Sequence, residues 1–217
     1  FTGLKKQYHN LRTEILDATD EVLRSGQLMN GNYTAEFENW LAKKNQVKYA
    51  VTVHSGTHAL ECIAEYYRQQ FDSNQPTILI PTMTYAATAN AFIRAGWDVI
   101  FVESDVNGIF DVNKIPYIHY DAVILVGLYG ASITHMGDIK TWREWVLTNK
   151  FVIEDAAQHW LSSDCLRIGN ASAISFDPMK NLSCYGNGGA VVTNDLNLVE
   201  YARAWREHGK SNHQHVG

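Results

Sequence analysis

The 217-residue sequence predicts an α/β fold, with a mostly parallel sheet flanked by helices. Three observations carry this. Short apolar runs of strand type recur at 49–54, 77–80, 97–102, 122–126, 151–155, 172–176 and 190–193. Stretches with apolar residues at helical spacing separate most of them. The run Ala122-Val-Ile-Leu-Val126 is apolar throughout, as a strand buried on both faces must be.

Taken in order, residues 8–23 carry Leu11, Ile15, Leu16, Val22 and Leu23 on a helical repeat, and Ser25-Gly26 supplies the stop. After a polar turn at 29–33, Thr34 is expected to cap a second amphipathic helix that runs through Phe37, Trp40 and Leu41. The strand at 49–54 leads through Ser55-Gly56-Thr57 into a helix over 58–70 that buries Leu60, Ile63, Ala64 and Tyr67. Strand, small-residue turn and helix start together make an anion site, because the first free N–H groups and the helix dipole aim at the turn. The same three residues also make an ordinary N-cap. Pro81 closes the next strand, and the chain from Thr82 enters a helix that ends near Gly96. Gly127-Leu-Tyr-Gly130 is the exit turn of the apolar strand, and 138–147 is predicted helical with Ile139, Trp142, Trp145 and Val146 inward. A last helix covers 196–207. Such regular alternation implies parallel strands joined by right-handed crossovers.

Composition narrows the function classes. With 46% hydrophobic and 19% charged residues the chain can bury a substantial core. A net charge of -5 and no polybasic run argue against nucleic acid as partner. No stretch approaches the ~18 continuous apolar residues of a membrane span, and the N-terminus lacks an apolar core of signal-peptide type, so a cytoplasmic protein is expected, with no membrane partner. Cys62, Cys165 and Cys184 are odd in number and lack metal-ligand spacing, which suits reduced thiols. His208, His213 and His215 have no acidic or cysteine companion at ligand spacing, and no metal site is expected.

Two polar residues stand out. Asp155 ends the strand at 151–155, and in open α/β sheets ligands sit beyond the carboxyl ends of strands. Lys180 follows the strand at 172–176 and precedes the glycine-dense turn 181–189. Taken singly, a strand-end Asp is more often a turn former or cap and a loop Lys a solvated charge.

Their company changes the reading. The stretches His54-Ser-Gly-Thr-His-Ala-Leu60, Pro81-Thr-Met-Thr-Tyr-Ala-Ala-Thr-Ala-Asn90, Ile153-Glu-Asp-Ala-Ala-Gln158, Ser175-Phe-Asp-Pro-Met-Lys-Asn-Leu182, Gly188-Gly-Ala-Val-Val-Thr-Asn-Asp195 and Arg206-Glu-His-Gly209 span nearly the whole chain. In this order they resemble the DegT/DnrJ/EryC1/StrS family of sugar aminotransferases, within the fold type I enzymes that use pyridoxal 5'-phosphate. The resemblance implies that residues 1–217 form the cofactor-binding large domain with an N-terminal helical segment. The family's smaller C-terminal domain is expected to be absent or not included, which would make the chain a fragment or a shortened member. It further implies Lys180 as Schiff-base partner, Asp155 beneath the pyridine nitrogen, and Tyr85 stacked on the ring. Gln158 would bond the ring hydroxyl, and Gly56, Thr57 and Ser175 would hold the phosphate.

The implied reaction moves an amino group from glutamate to the keto group of a nucleotide-linked deoxysugar, in a homodimer. A dehydratase-type branch carries His in place of the lysine, so Lys180 favours amino transfer. A truncated, catalytically silent relative is the alternative from another class. The chain departs from the family's habit at Asn187, where an acidic residue is commoner, and at Trp160, where a small one is; both bear on substrate fit.

Overall fold

The computed structural model describes residues 3–72, 75–111, 114–131, 151–161 and 169–209. The predicted helix at 138–147, Cys165, His213 and His215 lie outside the described residues. Among the described residues seven strands form one sheet: β1 (Tyr49–Val53), β2 (Thr77–Pro81), β3 (Asp98–Val102), β4 (Ala122–Val126), β5 (Phe151–Asp155), β6 (Ala171–Ser175) and β7 (Gly189–Thr193). Their order across the sheet is β1-β7-β6-β5-β4-β2-β3. β7 pairs antiparallel with both β1 and β6, while the other described pairings are parallel. The mostly parallel sheet expected from the sequence is present, with β7 running against it.

Five helices are described: α1 (Leu4–Ser25), α2 (Asn32–Lys44), α3 (Gly56–Arg68), α4 (Ala86–Arg94) and α5 (Leu196–Arg206). Side-chain alternation along the strands decides what each face meets. One face gathers Val51, Ile78, Ile80, Ile124, Ile153, Ala173 and Val191 against α3, α4 and α5. The other is split: Leu41 and Ala42 of α2 cover Ala50, Ile174, Ala190 and Val192, while Ile109 and Phe110 cover Leu79, Val123, Leu125 and Val152. The predicted inward residues of α3 are buried: Leu60, Ile63, Ala64 and Tyr67.

Three details differ from expectation. Gly31, not Thr34, is the N-cap of α2, and no side chain caps that end. The first turn begins there because Ala35 N–H already bonds the Gly31 carbonyl at 3.2 Å, which makes Thr34 an interior residue. Trp40 is 46% exposed and lies stacked on Phe37, so Leu41 supplies the buried anchor of α2. α1 begins at Leu4 and is closed by Gly26 in the left-handed region, φ 68°, yet buries none of its residues. A buried ion pair ties the helices to the sheet edge: Arg206 of α5 donates to Glu38 of α2 at 2.6 Å, and Thr52 of β1 donates to the same carboxylate oxygen through both its N–H and its hydroxyl, each at 2.8 Å.

Candidate active site

The carboxyl ends of β1, β4, β5 and β6 and the start of the antiparallel β7 meet at one edge of the sheet. Because Ile153 packs on the α3/α4 face, Asp155, two residues on, projects to that face too. The same parity applied to Ala171 and Ala173 brings Ser175 to it. Both side chains are buried, at 6% and 7% exposure.

Ser175 meets the start of α3. A Cβ added to Gly56 would fall 2.7 Å from the Ser175 Cβ, and one added to Gly189 would fall 2.3 Å from the carbonyl carbon of Ser55. Glycine is therefore required at both positions for the three chain segments to approach this closely. Ser55 caps α3 by accepting the His58 N–H at 3.1 Å. Among the described residues the Gly56 and Thr57 N–H groups have no partner, as befits the first positions of a helix. Ser175 Oγ accepts the Asp177 N–H at 3.3 Å, which leaves its own proton to donate outward. N–H groups, a hydroxyl and a helix start in a cradle no side chain can enter suit an anion such as phosphate.

Asp155 closes β5 beside Val126 of β4. Its Oδ2 accepts the Thr88 hydroxyl at 2.6 Å, and Thr88 accepts the Thr84 hydroxyl at 2.7 Å. Its Oδ1 accepts the Ala157 N–H at 3.2 Å. Tyr85, the N-cap of α4, is 71% exposed. Gln158 accepts the Tyr129 N–H through Oε1, which leaves its amide NH2 to donate. Tyr129 sits at φ 56°, in a turn of 3-10 helix after β4. Lys180 follows β6 in a turn closed by its own N–H to the Asp177 carbonyl at 2.8 Å, and next to it Asn181 donates to the Gln158 carbonyl at 2.9 Å.

The structure thus brings Gly56, Thr57 and Ser175 into one cradle and sets Asp155 on the adjacent strand. The Lys180 turn is joined to the Gln158 segment by Asn181, and Tyr85 stands at the open rim. Thr84, Thr88, Tyr129, Asn181 and Gly189 were missed as site residues. Of these, the Thr84/Thr88 pair had a readable signal, two hydroxyls four positions apart at the start of a helix.

Cys184 lies in the turn before β7, where its thiol donates to the carbonyls of Phe176 at 3.0 Å and Gly186 at 3.2 Å. Burial raises its pKa, which disfavours the thiolate. It lines, with Phe37, Phe176 and Asn187, a cavity of about 380 Å³ beside Gly189. Among the described residues no group of His, Cys, Asp and Glu could hold a metal, and no helix is long and apolar enough to cross a membrane.

Residues 9–217 match the sequence model of the DegT/DnrJ/EryC1/StrS aminotransferase family. The chain is 32% identical over 215 residues to a pleiotropic regulatory protein of Geobacillus stearothermophilus, covering 95% of this chain and 56% of that one. It is 34% identical over 218 residues to a dTDP-3-amino-3,4,6-trideoxy-alpha-D-glucose transaminase of Streptomyces venezuelae, covering 96% and 56%. Among solved structures, S. venezuelae DesV in complex with a ketimine intermediate superposes with a TM-score of 0.84 at 30% identity, covering 99% of this chain and 58% of that one. The chain therefore spans between half and three fifths of the length of these relatives.

Proposed function

Because the chain belongs to the DegT/DnrJ/EryC1/StrS aminotransferase family, we propose that it transfers an amino group from glutamate to the keto group of a nucleotide-linked deoxysugar with pyridoxal 5'-phosphate as cofactor. The observation that carries the reading is one sheet edge where an anion cradle, a buried carboxylate and a lysine turn adjoin. These residues fit the cofactor: the lack of a side chain at Gly56 and Gly189 lets the start of α3 lie against Ser175 and β7, so that N–H groups and a hydroxyl gather where a phosphate would bind. When bound, the cofactor supplies the aldehyde that captures an amino group and a ring that withdraws electrons from the donor's α-carbon.

In this reading Gly56, Thr57 and Ser175 would bind the phosphate, the Asp155 carboxylate would accept the ring N–H, Gln158 would donate to the ring hydroxyl, and Tyr85 would stack on the ring. Lys180 would hold the cofactor through its side-chain amine, and as a free amine it would take the proton from the donor's α-carbon. Residues 1–217 then form the large domain of a cytoplasmic homodimer, which light scattering on the purified protein tests. The relatives' names, a transaminase of a dTDP-linked amino sugar among them, support the nucleotide-linked substrate.

A silent regulatory relative is the second reading, favoured by the likeness to the Geobacillus regulatory protein. Release of 2-oxoglutarate from glutamate by the cofactor-loaded protein separates the two. One equivalent per chain is expected for the enzyme; none, with cofactor demonstrably bound, sinks the amino-transfer reading.

A further inference from the structure

We propose that Thr88, backed by Thr84, is the positioning residue that aims the Asp155 carboxylate at its ligand. The proposal rests on the reading of Asp155 as partner of the cofactor's ring nitrogen.

Thr88 is fully buried in the first turn of α4. A helical threonine ordinarily returns its hydroxyl to a carbonyl one turn back. Here Thr88 instead reaches a carboxylate 67 positions away in sequence, with an oxygen separation of 2.6 Å. That spacing is characteristic of a hydroxyl bonded to an anion. A carboxylate only accepts, so Thr88 must donate to it, and its lone pair is then free to accept from Thr84 at 2.7 Å. The two links therefore have one sense, from Thr84 through Thr88 to Asp155 Oδ2, and each strengthens the other. With Ala157 N–H on Oδ1, both carboxylate oxygens are held, so the plane of the group is set before any ligand arrives. Each oxygen keeps a further lone pair for a ring N–H. Valine has nearly the volume of threonine, so filling this buried position does not by itself call for a hydroxyl.

The test measures dissociation constants for pyridoxal phosphate and for its 1-deaza analogue, in which a C–H replaces the ring nitrogen. It uses the full chain and the variants Thr88→Val, Thr88→Ser, Thr84→Val and Asp155→Asn. The quantity read is each protein's preference for the natural cofactor over the analogue, so that any loss of folded protein cancels. The relay predicts that Thr88→Val lowers this preference on the order of 10-fold, the loss of one hydrogen bond to a charged group. Thr88→Ser should retain the preference, and Thr84→Val should lower it by a smaller factor. The half-buried Thr84 carries the test if Thr88→Val does not fold. Equal weakening for both compounds would make Thr88 a packing residue and overturn the proposal. So would an unchanged preference in Thr88→Val alongside a collapsed one in Asp155→Asn. An unchanged preference in Asp155→Asn would instead overturn the reading of Asp155, and the relay with it.

Discussion

The two ends of the site are built in different ways. At the cradle, recognition is by backbone: Gly56 and Gly189 let α3, β6 and β7 come so close that one added carbon would collide with main-chain or Ser175 atoms. At the carboxylate, it is by side chains: Thr84, Thr88 and Asp155 are joined by directional hydrogen bonds across α4 and β5. The first design fails when an atom is added. The second tolerates an isosteric swap in volume and fails when a donor is removed.

That contrast can be broken by substitution. Lys180→Ala has the largest expected effect: covalent capture of the cofactor and glutamate turnover both vanish while the far-ultraviolet circular dichroism is unchanged. Gly189→Ala comes next. Its new carbon meets Ser55 backbone, which cannot swing aside, so a stability loss of about 1–3 kcal/mol in urea unfolding is expected. Equilibrium dialysis should also show lost affinity for inorganic phosphate as well as for the whole cofactor. Asp155→Asn should do the reverse, keeping phosphate affinity and some cofactor while losing most turnover. A variant at either end that behaved like the other would remove the distinction.

Ser175→Ala takes one donor from the cradle and should weaken cofactor binding by about 1 kcal/mol, roughly fivefold in a titration.

The smallest effect is a pH dependence at the cradle end. Burial, with His54 beside it, holds the His58 imidazole below its ordinary value of 6.5, and Glu61 acts in the opposite sense. His58 Nδ1 also accepts the His54 N–H at 3.4 Å, a bond that protonation at that nitrogen removes. The unfolded chain thus takes up a proton at higher pH than the folded one. The stability contributed is full above pH 6.5 and falls as the pH drops below it toward the folded value. Thermal midpoints between pH 7.5 and 5 should show a shallower decline in His58→Gln than in the parent; parallel curves would contradict this.

The cradle was legible because its signals are local in sequence. Ser55-Gly56-Thr57 follows a strand and opens a helix, and Gly188-Gly189 precedes a β-branched run, so chain order alone located both. Asp155 and Lys180 were legible as strand-end residues. The relay was not, because the Thr88 hydroxyl finds its partner at the end of β5, and no spacing in the sequence encodes a contact across 67 positions. Nor did the pattern of α1 disclose its surroundings: Leu11, Leu16 and Leu23 repeat as a buried stripe would, yet they are 39%, 41% and 62% exposed among the described residues. Periodicity reports which residues share a face, not what that face meets. Trp40 misled for a similar reason, its ring lying flat on Phe37 at the rim of the core.

The most direct measurement of the central claim is borohydride reduction of the protein incubated with pyridoxal phosphate, followed by peptide mass mapping of the parent and the Gly189→Ala variant. The account predicts a single cofactor-sized mass increase on the peptide that carries Lys180 in the parent, and little or none in the variant. Modification spread over several surface lysines, or equal labelling of both proteins, would contradict it.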